Sequence, residues 1–174
     1  SFPYLPLLPR RIIAEIRQLR NTLHMPIERI DIVDDAFESQ ILVMLENAGF
    51  APHREKDVIH LNGVGIGRGN SSVDVQIDLV SMDGHRILEM IAPLRIPAVT
   101  FELASLMCTQ GNISCHIAKF KPVEHLEENT HIVHAILTLY ADHLSETELS
   151  RMLYLFIKEI DRVDDELLNM IKTH

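Results

Sequence analysis

Glycines occupy every second position from Gly63 to Gly69, and a segment so rich in glycine is a candidate phosphate-binding loop. A phosphate-binding loop needs backbone amides that converge at the start of a helix, so its glycines follow other, fixed spacings. The residues after this segment alternate like a strand instead. We therefore interpret 62–70 as a mobile loop between two strands, with contact to a small ligand as the alternative.

Ten histidines are a second source of chemistry, and His125, His131 and His134 lie close to three glutamates in the sequence. Imidazole and carboxylate groups are common metal ligands. The region is predicted to be a strand, in which His131 and His134 point to opposite faces. This disfavours a metal site built on that pair. Convergence of His134 with His116 across strands stays open. We expect solvated or hydrogen-bonded histidines, no metal and no cofactor.

No pattern in the sequence supports catalysis by a nucleophile or by a pair of carboxylates. No serine lies in a Gly-x-Ser-x-Gly sequence, which would place it on a strand-turn-helix elbow. Cys108 and Cys115 have no second pair to complete a zinc site, and we interpret them as buried thiols of a cytoplasmic protein. Neighbouring acids such as Asp164 and Asp165 fit a solvated helix face. We predict no catalytic residues and no enzymatic activity.

The composition is that of an ordinary globular chain. Of the 174 residues, 47% are hydrophobic and 24% are charged, which excludes a wholly disordered or low-complexity protein. The net charge of −9 argues against binding to phosphate backbones, so we expect no nucleic-acid partner. No run of 18 uncharged apolar residues is present, so we expect no transmembrane segment.

Charge is distributed unevenly along the chain. Residues 1–20 hold four arginines and one glutamate, whereas residues 124–168 hold eleven acids and three bases. Apolar residues at helical spacing from Ile12 to Leu23 predict a basic amphipathic helix that Pro26 ends. We expect this helix to dock on its own protein or on a twin subunit, with a membrane surface or an acidic partner as alternatives. We expect the acidic C-terminal half to favour binding of a basic, partly unfolded polypeptide.

The next elements change from helical to strand periodicity. A helix is predicted from Asp34 or Asp35, whose carboxylate caps free amides, to a stop at Gly49. Strands are predicted over 58–61, 73–79 and 86–92, and they form an antiparallel meander. Asp83-Gly84 is the signal of a two-residue hairpin turn between the last two strands. The alternation directs three polar side chains of the second strand to water: Asp74, Gln76 and Asp78.

Three further elements follow Pro97. A largely buried helix is predicted over 98–110, and Gly111 is expected to end it. Two strands are predicted over 114–121 and 131–140, with an acidic loop over 122–129 between them. The second of these strands is apolar on both faces, which is typical of a central strand.

The last helix begins at a capping box formed by Ser145 and Glu148. Apolar residues then repeat at alternating spacings of four and three, which makes a heptad stripe. Packing of this stripe on the sheet is one interpretation, and a dimer seam or partner-helix site is the other. We predict that six residues of the stripe bind a partner: Leu149, Leu153, Phe156, Ile160, Val163 and Leu167.

This order of elements predicts the α+β class with a single antiparallel five-stranded sheet packed by helices, in the order α-α-β-β-β-α-β-β-α. Residues 1–33 form the N-terminal basic amphipathic helix and its leader in this interpretation. Residues 34–174 form the α+β domain.

The order resembles that of the type III secretion chaperone-like fold and of the YbjN-like bacterial families that share it. The hairpin about Asp83-Gly84, the helix over 98–110, the strand over 131–140 and the sequence Tyr-Ala-Asp-His-Leu-Ser-Glu from Tyr140 carry the resemblance. It extends from about Asp34 to the C-terminus and implies a small, acidic, non-enzymatic bacterial protein, often a homodimer, that binds polypeptides or acts in regulation. The additional basic helix departs from the compact chaperone pattern.

We therefore predict a cytoplasmic protein-interaction module, chaperone-like or regulatory, that forms a homodimer. Binding would bury an apolar segment of a client or twin subunit on the sheet or on the helices over 98–110 and 145–171, with acidic rims adding selectivity. The alternative is a sensor of a small ligand or a metal that uses the 63–69 loop and the histidines.

Overall fold

Three helices and six strands make up the described part of the chain, which in this computed structural model is residues 35–56, 58–65, 72–127 and 129–172. The predicted basic helix within 10–24 and the predicted boundary after residue 33 lie outside these residues. The helices are α1 (Asp35–Asn47), α2 (Phe101–Ser114) and α3 (Glu146–Lys172). The strands are β1 (His53–Glu55), β2 (Val58–Gly65), β3 (Ser72–Met82), β4 (His85–Pro93), β5 (Lys119–Glu124) and β6 (His131–Tyr140).

One antiparallel sheet contains all six strands, in the order β1-β2-β3-β4-β6-β5. The predicted α+β class with an antiparallel sheet is confirmed, and the predicted number of five strands is wrong. The missing strand is β1, whose three exposed residues pair with β2 at one edge. A run of three exposed polar residues carries no alternation, so only the pairing with β2 defines it as a strand. The apolar strand β6 lies between β4 and β5, as its sequence predicted.

The turn between β3 and β4 is the predicted two-residue hairpin. Asp83 and Gly84 have φ angles of 52° and 77°, and Met82 pairs with His85 on either side of them. Positive φ at both central residues is the geometry of a type I′ turn, whose twist matches that of the flanking strands. The local sequence therefore sets the register of this hairpin.

Helix α2 begins later than its sequence predicted. Thr100, rather than a residue beside Pro97, caps the helix, because its hydroxyl oxygen accepts a hydrogen bond from the Leu103 N–H at 3.4 Å. The backbone at Thr100 is extended, as is usual for a capping residue. The helix therefore starts at Phe101.

The same helix also continues past its predicted end. Gly111 lies inside α2, which runs on to Ser114. A Cβ atom at position 111 would lie 2.7 Å from Cδ2 of Phe120, a residue of β5. The glycine at this position therefore permits a close approach between helix and strand, and it does not end the helix.

Strand β5 is shifted toward the C-terminus relative to the predicted strand over 114–121, and it takes up the first part of the predicted acidic loop. The residues before it are held by α3 instead. The Glu159 carboxylate accepts hydrogen bonds from the N–H groups of His116, Ile117 and Ala118 at 2.9, 3.2 and 2.9 Å. A side chain from a distant helix thus replaces strand pairing for this segment.

Helix α3 begins at the predicted capping box. The Glu148 N–H donates to Oγ of Ser145 at 3.2 Å, and the Ser145 N–H donates to Oε2 of Glu148 at 3.1 Å. The two residues thus satisfy each other's free backbone donors.

An ion pair fixes the middle of α3 to the loop before α2. Asp164 is 0% exposed, and it accepts hydrogen bonds from the main-chain N–H and from Nε of Arg95, both at 3.0 Å. The expectation that both neighbouring acids face water is therefore wrong for Asp164. Asp165, the next residue, is 70% exposed in its side chain.

Candidate protein-interaction surfaces

The six residues predicted to bind a partner lie on the side of α3 that faces the core. Each of them is at most 1% exposed and belongs to the hydrophobic core. The apolar stripe of α3 therefore packs in the core, as in the first of the two predicted interpretations. A partner would reach these side chains only if α3 left the core. The six residues are Leu149, Leu153, Phe156, Ile160, Val163 and Leu167.

The sheet has two faces of different character. One face, which includes the cross-strand neighbours Ile77 and Met90, packs with all three helices in a single core. The other face, here named the second face, carries the alternate residues of the same strands. Its aliphatic side chains are partly buried, except that Val80 is only 4% exposed, and none belongs to the core of the described residues. They are Val58, Val80, Ile87, Ile91, Val123, Ile132 and Ile136.

Two carboxylates lie side by side at the centre of the second face. Asp78 of β3 and Glu89 of β4 are direct cross-strand neighbours and are 3% and 4% exposed. Asp78 points away from the core as its sequence predicted, but it is buried rather than solvated, and Nε2 of Gln76 donates to its Oδ1 at 3.2 Å. Like charges directly opposite each other destabilise a sheet. This pair is therefore an unusual element of the face.

Burial raises the pKa of Glu89 to about 6, and the nearby charge of Asp78 adds to this effect. The positive charge of Lys121 and a hydrogen bond at 3.3 Å from the Thr138 hydroxyl to Oε2 act in the opposite direction. Glu89 is therefore a carboxylate that an additional cation would stabilise in its ionised form.

The margin of the second face at β5 has the opposite charge. Lys121 lies there, and its cross-strand neighbour His134 has a pKa lowered by burial and by the charge of that lysine. Lys119 pairs with Ile136 two residues away and lies on the same side. The second face is thus acidic over β3 and β4 and basic along β5.

The β5 edge of the sheet is closed to another strand. Oδ1 of Asn112 accepts from the Phe120 N–H at 2.7 Å, and its Nδ2 donates to the Phe120 carbonyl at 3.1 Å. Pro122, two residues further, has no N–H, and the Ala118 N–H already donates to Glu159. An incoming strand would therefore find few free backbone N–H and carbonyl groups at this edge, which disfavours strand addition there.

The outward side of α2 is a second candidate surface. Leu103, Leu106 and Ile113 are 37%, 57% and 75% exposed, and Phe101 at the start of the helix is 53% exposed. The sequence predicted a largely buried helix, but only the side of α2 with Ala104, Met107, Cys108 and Gly111 is buried. Large apolar side chains grouped on one exposed helix side are a feature of interaction sites.

One polar cluster has the residue types of a catalytic relay but not its geometry. Nδ1 of His85 lies 2.8 Å from Oδ2 of Asp142 and 2.5 Å from the hydroxyl of Tyr140. In a relay the carboxylate and the nucleophile contact different ring nitrogens. Hydrogen bonds from the Arg86 N–H, His85 and Tyr140 hold the pKa of Asp142 well below its usual range. The cluster therefore ties the start of β4 to the loop after β6.

The histidines that were considered as metal ligands do not form a metal-binding cluster in the described residues. His131 and His134 point to opposite faces as predicted, and His131 packs edge-on against Phe101 at 5.2 Å between ring centres. Within the described ranges, no group of three His, Cys, Asp or Glu side chains is arranged to hold a metal ion. Gly63 has φ of 61° and donates its N–H to Asp74 at 2.8 Å, while residues 66–71 lie outside the described part.

The two cysteines are buried, as their sequence predicted. Cys108 and Cys115 are each 5% exposed. Burial raises the pKa of the Cys108 thiol to about 11 and raises that of Cys115 as well. Neither thiol is therefore a ready nucleophile at neutral pH.

Comparisons with known proteins give one line of similarity. No protein-family model matches the sequence, and no curated protein matches it. The fold is similar to the crystal structure of YbjN, a proposed transcription regulator from E. coli, with a TM-score of 0.55 and 18% identity over 76% of this chain and 92% of that chain. The predicted YbjN-like fold is therefore confirmed, and the narrower likeness to type III secretion chaperones stays a prediction. None of the three described helices is long and apolar enough to cross a membrane.

Proposed function

We propose that this protein is a non-enzymatic regulatory module that binds another polypeptide on the second face of its sheet. The observation that carries the proposal is the composition of that face, in which aliphatic side chains surround the buried pair Asp78 and Glu89. The partner is a basic amphipathic helix. Its apolar side would cover the aliphatic residues, and an arginine or lysine beside that side would reach Glu89.

Electrostatics favour a basic partner over an acidic or neutral one. Burial raises the pKa of Glu89, so a cation placed beside this carboxylate would favour its ionised form. A guanidinium that donates to Glu89 would form charge-assisted hydrogen bonds, each contributing about 1.5–3 kcal/mol. The aliphatic residues supply affinity, while Glu89 selects the charge of the partner.

The similarity to YbjN supports a regulatory role to the extent that YbjN is itself described as a proposed transcription regulator. A chaperone-like activity on an unfolded client, a homodimer and a cytoplasmic location stay predictions. The net charge of −9 supports a polypeptide rather than a nucleic acid as the direct partner.

Two designed helical peptides of equal length test the proposal. Both carry the same leucines on one side, and they differ in having arginines or glutamates beside that side. Fluorescence anisotropy with the full chain is expected to detect binding of the arginine peptide and at least tenfold weaker binding of the glutamate peptide.

Matched variants locate the surface. Ile91→Lys and Ile132→Lys place a charge on the second face and are expected to weaken binding of the arginine peptide at least tenfold. Leu106→Lys, at a residue 57% exposed on α2, is the control and is expected to bind normally. Thermal unfolding of each variant separates loss of the surface from loss of the fold. Loss of binding in Leu106→Lys alone would assign the site to α2 and contradict the proposal.

A further inference from the structure

We propose that His85, Tyr140 and Asp142 form a binding site for one ferric ion at one end of the sheet. The ion would be held by an imidazole nitrogen, a phenolate oxygen and a carboxylate oxygen. This proposal is independent of the proposed function, because it involves neither Glu89 nor the binding of a peptide.

The strand register brings the three side chains together. Tyr140, the last residue of β6, is the cross-strand neighbour of Ile87, and His85 lies two residues before Ile87 on β4. Because alternate residues of a strand point to the same side, His85 and Tyr140 both lie on the second face. Their ring centres are 5.4 Å apart. Asp142 follows Tyr140 by two residues and completes the group.

The three donor atoms converge closely enough to share one ion. Nδ1 of His85 lies 2.8 Å from Oδ2 of Asp142 and 2.5 Å from the Tyr140 hydroxyl, which also donates to the Asp142 carboxylate. Metal–ligand bonds of about 2.0–2.2 Å place neighbouring octahedral ligands about 2.8–3.1 Å apart. The phenol oxygen would therefore have to move outward only slightly, and Tyr140 is 60% exposed, which leaves room for this movement.

A further hydrogen bond holds the carboxylate in the orientation that the site needs. The Arg86 N–H donates to Oδ1 of Asp142 at 2.7 Å, which leaves Oδ2 directed at the imidazole. Such outer hydrogen bonds orient the ligands of metal sites. The Arg86 guanidinium lies over the ring of Phe37, a core residue, at 5.1 Å from the ring centre. Its positive charge is thus directed to the core side of the sheet, away from the place of the metal ion.

The types of donor atom select the class of ion. Carboxylate and phenolate oxygens are hard ligands, and imidazole binds first-row transition metals, so ferric iron fits all three. Tyrosine is also an iron ligand in some haem proteins. On binding, the phenol proton passes to the solvent and the imidazole carries its proton on Nε2, so that Nδ1 and the phenolate oxygen bond to the ion. No oxidation or reduction takes place, and water fills the open coordination positions.

Titration of the full chain with ferric nitrilotriacetate tests the site. A phenolate bound to ferric iron gives a charge-transfer absorption in the visible range, which is expected to saturate at one iron per chain. Tyr140→Phe keeps the aromatic ring and is expected to abolish this absorption, and His85→Ala is expected to weaken iron binding at least tenfold. Tyr154→Phe changes another exposed tyrosine and is the control, which should bind iron and absorb light as the natural chain does.

Thermal unfolding gives a second readout of the same site. A ligand that binds only the folded protein raises the midpoint of unfolding, so iron is expected to stabilise the natural chain and Tyr154→Phe but not Tyr140→Phe. Circular dichroism of each variant without iron checks its fold, and His85→Gln replaces His85→Ala if that variant is unfolded. The proposal would be overturned if the natural chain showed no charge-transfer absorption. It would also be overturned if the absorption persisted in Tyr140→Phe, which would show that the iron is bound elsewhere on the surface.

Discussion

The side-chain amide of Asn112 pairs with the backbone of Phe120 as a neighbouring strand would, with a donor at 3.1 Å and an acceptor at 2.7 Å. This contact joins α2 to the outer edge of β5. Because the unpaired edge of a sheet is a template for association, one side chain here protects the protein from adding further strands.

Replacement of Asn112 by Ala is expected to destabilise the fold and expose the edge. The Phe120 N–H and carbonyl lose their partners, which costs about 1–3 kcal/mol in the free energy of unfolding. Urea denaturation measures this loss, and sedimentation velocity is expected to show concentration-dependent association. Gln110→Ala, at an exposed residue of the same helix, is the control. An unchanged sedimentation coefficient at high concentration would show that the edge is protected by other means.

Replacement of Gly111 by Ala is expected to destabilise the protein, although alanine is the better helix former. The new Cβ would lie 2.7 Å from the Phe120 ring, and such overpacking costs about 1–3 kcal/mol. The gain in helix propensity is about 1 kcal/mol, so a net loss of up to about 2 kcal/mol is expected. In a Phe120→Leu background the same replacement should be neutral or stabilising. A cost that is equal in both backgrounds would place its origin elsewhere than in the ring.

Loss of the Arg95 guanidinium is expected to be far more costly than loss of its outer partner Asp161. Arg95→Met leaves the fully buried Asp164 carboxylate without its cation, and breaking a buried pair in this way costs about 3–5 kcal/mol. Asp161→Asn removes the exposed ion pair in which Nη2 of Arg95 lies 3.1 Å from Oδ1 of Asp161. The expected loss in the free energy of unfolding is less than about 1 kcal/mol. Urea denaturation of Arg95→Met should show a smaller loss at pH 4 than at pH 7, because Asp164 can then be protonated. A loss that is independent of pH would contradict an electrostatic origin.

Glu89 on the second face is expected to make the stability of the protein depend on pH. The pKa of Glu89 in the folded protein, about 6, exceeds its ordinary value of 4.5, so the folded protein binds more protons than the unfolded chain between these values. Stability from this group is therefore greatest below pH 4.5 and decreases by about 2 kcal/mol as the pH rises through 6. Glu89→Gln should remove this decrease and be the more stable protein at pH 7.

Unfolding curves in urea between pH 4.5 and 7.5 measure the difference between the two proteins. Glu102→Gln, which changes the same charge at an exposed position on α2, is the control and should keep the slope of the natural protein. A Glu89→Gln curve parallel to that of the natural protein would show that Glu89 does not titrate in this range.

Local signals in the sequence were sufficient for several elements. The Asp83-Gly84 turn, the Ser145 cap and the stop at Gly49 follow from the backbone preferences and near neighbours of those residues. Such interactions act within about one turn of chain, so they can be predicted before the fold is known. The opposite directions of His131 and His134 follow in the same way from the geometry of one strand.

Other features depend on groups that are distant in the sequence. β1 exists because it pairs with β2, α2 continues through Gly111 because Phe120 packs there, and Asp164 is buried because Arg95 reaches it. The heptad stripe of α3 was compatible with a partner or with the sheet, because an apolar stripe does not specify what covers it.

The sequence by itself determined the class of the fold, the hairpin register and the helix caps, all of which rest on short-range geometry. Tertiary structure decided which apolar surface became the core and which carboxylates became buried, because burial is a property of the assembled layers. It placed the stripe of α3 inside and brought Asp78 beside Glu89 on the second face. The candidate site therefore lies on a face whose composition was visible in the sequence, but whose two central charges only strand pairing brought together.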